Sequence, residues 1–413
     1  MTLSRPKVRA GLVNSAQVEN GRPIHVVKIP ESGRYFRFND EDYCVLTNMD
    51  GKRSAFELLS ILKSEHGLQA DAGTIERFAD RLMKAGLLDI PRDAPGNERV
   101  ANRTPVTLFR RVLAIRLKAI NPDRFFATFL GYLRPLFSPY FVVFASCLIA
   151  YSFVIAIAKW NVITAEMSTT FNVRLALWFW ICGLVVAVLH ECAHGFTCKF
   201  HGGEVRELGF LLLYFNLGLY CNVSDAWLFR EKSKKLWVTF AGGFFEAFIW
   251  ASTVVMWQIT ERNTLVHTLC LITITIAGIK NLFNFLPLIK LDGYYLLSDY
   301  LELPNLRQRA FAYVRQLFLN SLGFSRKMKS VTSKEKVAYI IYTMLALPFS
   351  GALMALMYLG LSRFVIRKYP STGRYVVAIF TVLLFGDLIL TWLRAFYSWA
   401  RARYRLRTSF IQS

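Results

Sequence analysis

The sequence predicts an α-helical polytopic membrane protein of about six spans, with a small N-terminal α+β domain of winged-helix-like make-up on the cytoplasmic side. Three observations predict it. Of 413 residues, 54% are hydrophobic and 15% aromatic, above the roughly 45–50% apolar content of soluble domains. The excess lies in unbroken runs such as residues 140–158 and 375–396, and a helix needs roughly 20 apolar residues to cross hydrocarbon. The first ninety residues, by contrast, are mixed in polarity.

The formal charge of +22 would suggest nucleic acid in a soluble chain. Here Lys and Arg cluster beside the apolar runs, as in loops held on the cytoplasmic side of a bilayer. The lipid bilayer is therefore the expected partner, and nucleic acid is not. The seven cysteines, Cys44, Cys147, Cys182, Cys192, Cys198, Cys221 and Cys270, are odd in number, contain no CxxC pair and lie mostly in apolar segments. They read as small buried hydrophobes rather than a disulfide framework. Residues 1–20 are polar and lack the apolar core of a cleavable signal peptide, so the first span is expected to do the targeting.

Within residues 1–90, segments 24–29 and 35–38 read as strands joined by the turn-rich 30–33. Helices are expected over 41–49, 54–65 and 72–85. Phe56, Leu59, Ile61 and Leu62 supply the apolar face of the second; Ile75, Phe78, Leu82 and Met83 supply that of the third. Ser54 and Asp71 are candidate N-caps and Gly86 a candidate stop. Residues 91–137 read as a linker, polar over 91–105, followed by a basic helix on the membrane surface. Its Arg110, Arg111, Arg116, Lys118, Arg124 and Arg134 would face anionic headgroups.

Spans are expected near 140–159, 174–194, 236–259, 266–288, 337–362 and 375–396. They divide into a core over 138–300, a basic cytoplasmic loop over 301–336, and two final spans with a basic tail over 337–413. An even number of spans puts both termini on one side. Arg401, Arg403, Arg405 and Arg407, with the basic stretch 326–336, mark that side as the cytoplasm. Arg363, Arg367, Lys368 and Arg374 stand against this orientation.

The chemistry centres on His190-Glu191-Cys192-Ala193-His194, at the close of the second span. Positions i and i+4 share a helix face, so both imidazoles can bind one zinc ion, with Glu191 placed to take a proton from its water. At about 1.5 Å per residue, His190 lies roughly 24 Å into this span, in the cytoplasmic half of a core about 30 Å thick. Two satisfied core histidines are the plain alternative, but ionisable residues are costly in lipid and functional by default.

Zinc in a catalytic site takes three protein ligands and leaves a fourth position open. His201, Cys198 and Asp292 are the candidates for the third. His201 is one position too late for the metzincin spacing, and Thr197 stands where that pattern needs glycine. Asp292 fits better by context. Pro287 interrupts the preceding apolar run and Gly293 permits an unusual turn, so irregular backbone could aim the carboxylate into a polar cavity.

The HExxH of His190–His194, paired with Asn284, Pro287, Leu291, Asp292 and Gly293 in a later span, resembles the site-2 protease family of intramembrane zinc metalloproteases. The resemblance implies His190, His194 and Asp292 as zinc ligands, Glu191 as base, and Asn284 as a polar residue near the reacting carbonyl. Ala241-Gly242-Gly243 is similar to the small-residue motif that lets a helix pack close to the site. Ile289 departs from the second proline of many members, which puts the shape of that turn in doubt. The likeness covers residues 174–300. Residues 220–227 and the N-terminal domain further resemble a bacterial branch of peptide zinc metalloproteases whose N-terminal domain is PqqD-like. That implies an inner-membrane enzyme acting on a membrane protein or peptide precursor, beside a peptide exporter, with a leader peptide held at a sheet edge.

The competing expectation is a non-catalytic zinc-binding component of a peptide export system. A di-iron desaturase needs more histidines than the six present. Among the remaining residues, 207–223 read as a re-entrant loop with an edge strand or as an ordinary loop. Asp225 reads as a helix cap or a site residue, and Glu246 and Lys280 as a structural pair. Asp387 has no named partner.

Overall fold

The computed structural model describes residues 5–66, 71–89, 114–170, 175–213, 216–321 and 331–382. The chain is mostly helical and forms two compact units, Met1–Leu306 and Arg307–Ser413.

The first unit opens with an antiparallel meander of β1 (Val13–Glu19), β2 (Arg22–Ile29) and β3 (Arg34–Asn39). Asn20 and Gly21, both at positive φ, make the two-residue turn that pairs Glu19 with Arg22. A left-handed pair of this kind matches the twist of the flanking strands. Strand β1 was not expected from sequence, because its inward face is polar. Ser15 and Gln17 are buried and donate to the carbonyls of Leu228 and Trp227 at 2.7 Å.

Helices α1 (Asp40–Thr47), α2 (Ala55–His66) and α3 (Ala72–Ala85) follow. Ser54 and Glu57 form a reciprocal capping box, Asp71 caps α3, and Gly86 closes it in the left-handed region. Ile75 and Leu82 join Val27, Ile29, Leu46 and Met49 in one core. In α2 the anchor is Leu58 and the expected Leu59 packs against the same core, whereas Phe56 is exposed, which corrects that member of the expected apolar face; the side chains of Ile61 and Leu62 lie outside those described.

The basic segment expected to be one interfacial helix is a strand followed by a helix. β4 (Ala114–Ile120) pairs antiparallel with β5 (Leu208–Leu213), which pairs with β6 (Asn216–Cys221). Residues 115–119 (Ile, Arg, Leu, Lys, Ala) alternate apolar and basic with a period of two, which suits a pleated strand better than a helix. α4 (Asp123–Leu133) comes next. The linker 91–105 and residues 106–113, Arg110 and Arg111 among them, lie outside the described residues.

Among the described residues, four helices of this unit are long and apolar enough to cross a membrane: α5 (Pro139–Ala158), α7 (Ala176–Phe200), α8 (Lys232–Ile259) and α9 (Leu265–Asn284). A shorter α6 (Trp160–Thr170) follows α5, and α10 (Asp292–Tyr300) follows α9. α8 packs against α5, α7 and α9. α7 continues past His194 to Phe200, further than hydropathy suggested, because α4 covers that extension. Phe126 of α4 is fully buried against Gly195 and stacks edge-on with Phe196 at 4.6 Å. Asp123 at the start of α4 grips Lys199 at 2.7 Å and the Val205 amide at 2.9 Å.

Residues 301–336, expected as a loop, contain the helix α11 (Leu306–Ser321). Within the second unit, Arg307 reaches Ser350 at 3.2 Å, and Phe311 and Tyr313 meet Tyr342 and Tyr339. α11 therefore runs antiparallel to α12 (Ser333–Lys368), the fifth membrane-length helix. Its apolar face was masked by its arginines. Of the sixth expected span, residues 373–382 are helical. The rest of it, Asp387 and the arginine tail lie outside the described residues.

Candidate metal centre

The helical repeat of α7 puts His190 and His194 on one buried face, with both Nε2 atoms turned inward 3.2 Å apart. Each outer nitrogen faces an acceptor on α8, and only that of His194 is hydrogen-bonded. His194 Nδ1 donates to the Val238 carbonyl at 2.7 Å, and His190 Nδ1 lies 2.7 Å from Glu246 Oε2. Partners of this type set the tautomer and aim of a ligating imidazole.

Asp292 is the first residue of α10. α9 ends at Asn284, and residues 285–291, Pro287 among them, turn the chain so that α10 begins beside that end. Asn284 fastens the turn from both sides. Its Nδ2 donates to Asp292 Oδ2 at 2.7 Å, and its Oδ1 accepts the Asp292 amide at 3.3 Å. Gly293 is helical and not at positive φ. It serves close packing rather than an unusual turn, since a Cβ there would meet the Phe285 backbone and come within 3.0 Å of the Asn284 carbonyl oxygen.

Asp292 Oδ2 therefore lies 3.0 Å from His190 Nε2 and 3.1 Å from His194 Nε2. Burial pushes this carboxyl up, but the hydrogen bonds and charge of the two imidazoles outweigh it and hold it well below the usual carboxylate range. Three donor atoms 3.0–3.2 Å apart come close to the edge of a zinc tetrahedron, roughly 3.3 Å for bonds of about 2.0–2.1 Å. Two imidazoles and one carboxylate are a donor set that catalytic zinc accepts. The residues present fit the ion.

Gly242 of α8 makes room for this cluster. A Cβ there would overlap His194 Nε2 and approach His190 Nε2 to 2.7 Å. Glu191 is half-buried beside His190 and takes no hydrogen bond or ion pair among the described residues. Neither rejected ligand joins the cluster. Cys198 is fully buried against Gly203, and His201 packs edge-on against Phe200 and Phe229.

Lys280 and Glu246 do pair, at 2.6 Å. The contact of Glu246 with His190 went unforeseen, although its spacing of four from Gly242 places it on the same helix face. Asp225 caps no helix and stands apart from the cluster of His190, His194 and Asp292. It accepts Lys28 Nζ at 2.6 Å, the Tyr35 hydroxyl and the Glu204 amide at 2.8 Å, tying the N-terminal sheet to the start and end of the β5–β6 hairpin. Burial and the bonded Asp225 carboxylate push the Tyr35 phenol up.

The β5–β6 stretch read as a re-entrant or ordinary loop is a hairpin in which β6, an edge strand, packs beside α7. An apolar cavity of about 460 Å³ opens between Trp180, Gly183 and Ala187 of α7, Phe210 and Leu219 of the hairpin, and Ile276 of α9. No family model, curated protein or solved structure matches the chain.

Proposed function

We propose that this chain is a polytopic membrane enzyme, an intramembrane zinc metalloendopeptidase. The convergence of His190 Nε2, His194 Nε2 and Asp292 Oδ2 from two separate parts of the chain, all within 3.2 Å, carries the reading. Bound zinc would lower the pKa of its water and polarise a carbonyl. Glu191, adjacent and unencumbered, accepts the proton of the attacking water and passes it to the leaving amine. Asn284 steadies Asp292; a further role for its amide at the reacting carbonyl rests on the family resemblance.

Peptide binding is supported by the edge strand β6. An extended substrate segment paired with it would lie along α7, with side chains entering the apolar cavity beside Ala187, one helical turn before Glu191. The substrate class is a membrane protein or peptide precursor. The three-stranded sheet and three helices of the N-terminal domain suit a winged-helix-like, PqqD-like module that captures a leader peptide, with a peptide exporter as partner.

The cations Arg206, Arg230, Lys232, Lys234 and Lys235 gather at the end of α7 and α8 that bears the centre. By the positive-inside rule this end and the N-terminal domain face the cytoplasm of a bacterial inner membrane. A sixth span over 375–396 would return the C-terminus to the same side.

The test uses Glu191→Gln in the full chain. This variant is expected to retain stoichiometric zinc, to lose cleavage, and to trap its substrate for identification by peptide mass spectrometry. Undiminished turnover of that substrate by the variant refutes the assignment. Zinc without turnover in the wild-type chain favours a non-catalytic component of an export system.

A further inference from the structure

Glu246 has no exposed surface, although it sits within an apolar helix. A carboxylate is costly there unless it has partners or a function. Its Oε2 atom has two neighbours, Lys280 Nζ at 2.6 Å and His190 Nδ1 at 2.7 Å. The approach to His190 is off the line of the ring N–H. The other oxygen, Oε1, and the His190 Nδ1 atom are both buried without a hydrogen-bond partner.

Three positions of α8 face the two histidines at successive helical turns. The Val238 carbonyl takes His194 Nδ1, Gly242 leaves space under both inner nitrogens, and Glu246 meets His190 Nδ1. Their order is antiparallel to that of the histidines along α7, so the two helices match turn for turn. α8 thus presents one acceptor per imidazole, a backbone carbonyl for one and a carboxylate for the other.

We infer that Glu246 is a positioning residue for the metal: it holds the His190 ring through Nδ1 so that Nε2 faces His194 and Asp292, and Lys280 supplies its counter-charge. The inference rests on the zinc site proposed above. It makes Glu246 a conditioner of metal affinity, where a simple Glu246–Lys280 ion pair would matter for folding alone.

The experiment measures zinc affinity by chelator competition on the full chain in detergent, with thermal unfolding alongside. Replacing a buried pair by apolar residues of similar size is often neutral for stability. Glu246→Leu/Lys280→Met is expected to fold and to bind zinc roughly 10–100-fold more weakly, the usual loss for an outer-shell partner. Glu246→Gln/Lys280→Met keeps a carbonyl acceptor for Nδ1 and is expected to recover most of that loss. A folded Leu/Met chain with wild-type affinity overturns the inference while leaving the metal site intact. A wild-type chain that takes up no zinc overturns both. If the Leu/Met chain does not fold, the cobalt-substituted Gln/Met chain decides, because a neutral amide draws on the Nδ1 proton less than a carboxylate and so weakens the donor strength of Nε2. A ligand-field band shifted from wild type supports the positioning role, and superimposable spectra overturn it.

Discussion

The ammonium of Lys28, in the N-terminal sheet, lies 2.6 Å from the carboxylate of Asp225, 197 positions later, and both side chains are buried. Glu204 stands 3.1 Å from the same ammonium and is shared with Arg206. The knot joins the N-terminal domain to the two stems of the hairpin beside the candidate centre. Removing one member of a buried pair strands the other charge, at a cost of about 3–5 kcal/mol. Lys28→Met is therefore expected to destabilise the first unit by about that much. Lys28→Met/Asp225→Asn should cost less than Lys28→Met alone, as read by thermal unfolding of the single and double variants.

Gly242→Ala adds one methyl where the Nε2 atoms of both histidines already stand. Alanine is the better helix former, so α8 itself should persist. The expected result is at least a tenfold loss of zinc affinity with far-UV circular dichroism unchanged. Wild-type metal content in this variant would show that the histidines do not need the space.

Asp292→Ala leaves two imidazoles and no anionic ligand, and removes the acceptor of Asn284 Nδ2 while the amide of residue 292 can still donate to Asn284 Oδ1. Zinc affinity is expected to fall by more than the roughly 100-fold ceiling of an outer partner, measured by the same competition. A loss below tenfold would place Asp292 outside the coordination sphere.

Asp299, on α10 seven residues after Asp292, gives a pH signature. Burial pushes its carboxyl from 3.8 to about 6, against the opposing charge of Lys235 and a bond from Thr239. A raised carboxyl means that the folded chain binds the proton more tightly than the unfolded one, so this group costs stability as pH rises from 3.8 through about 6. Asp299→Asn should stabilise the protein at pH 7 by about 1–2 kcal/mol, after allowance for partial solvent screening. The gain should vanish below about pH 4. Thermal unfolding of both chains across this range checks it; an equal gain at all pH values would contradict it.

Motif residues and membrane-length helices were legible because their signals are local. HExxH is a helical repeat, and the capping residues Ser54 and Asp71 act within one turn. Strand β1 was illegible for the opposite reason. Ser15 and Gln17 look like surface residues until the carbonyls of Trp227 and Leu228 arrive to bond them. β4 was misread because basic residues among apolar ones also describe an interfacial helix, and its pairing partner lies some ninety residues away. α11 was taken for a loop because its charge hid the face that meets α12.

By itself the sequence determined the apolar helices, the cationic flanks and the candidate set of His190, Glu191, His194 and Asp292, all of which follow from side-chain chemistry at short range. Only the tertiary structure decided that Asp292 meets the histidines, that Gly242 clears their space and that Glu246 stands behind His190. Each depends on helices distant in sequence approaching to within hydrogen-bonding distance. Pairwise packing sets that distance, and no local pattern of residues encodes it.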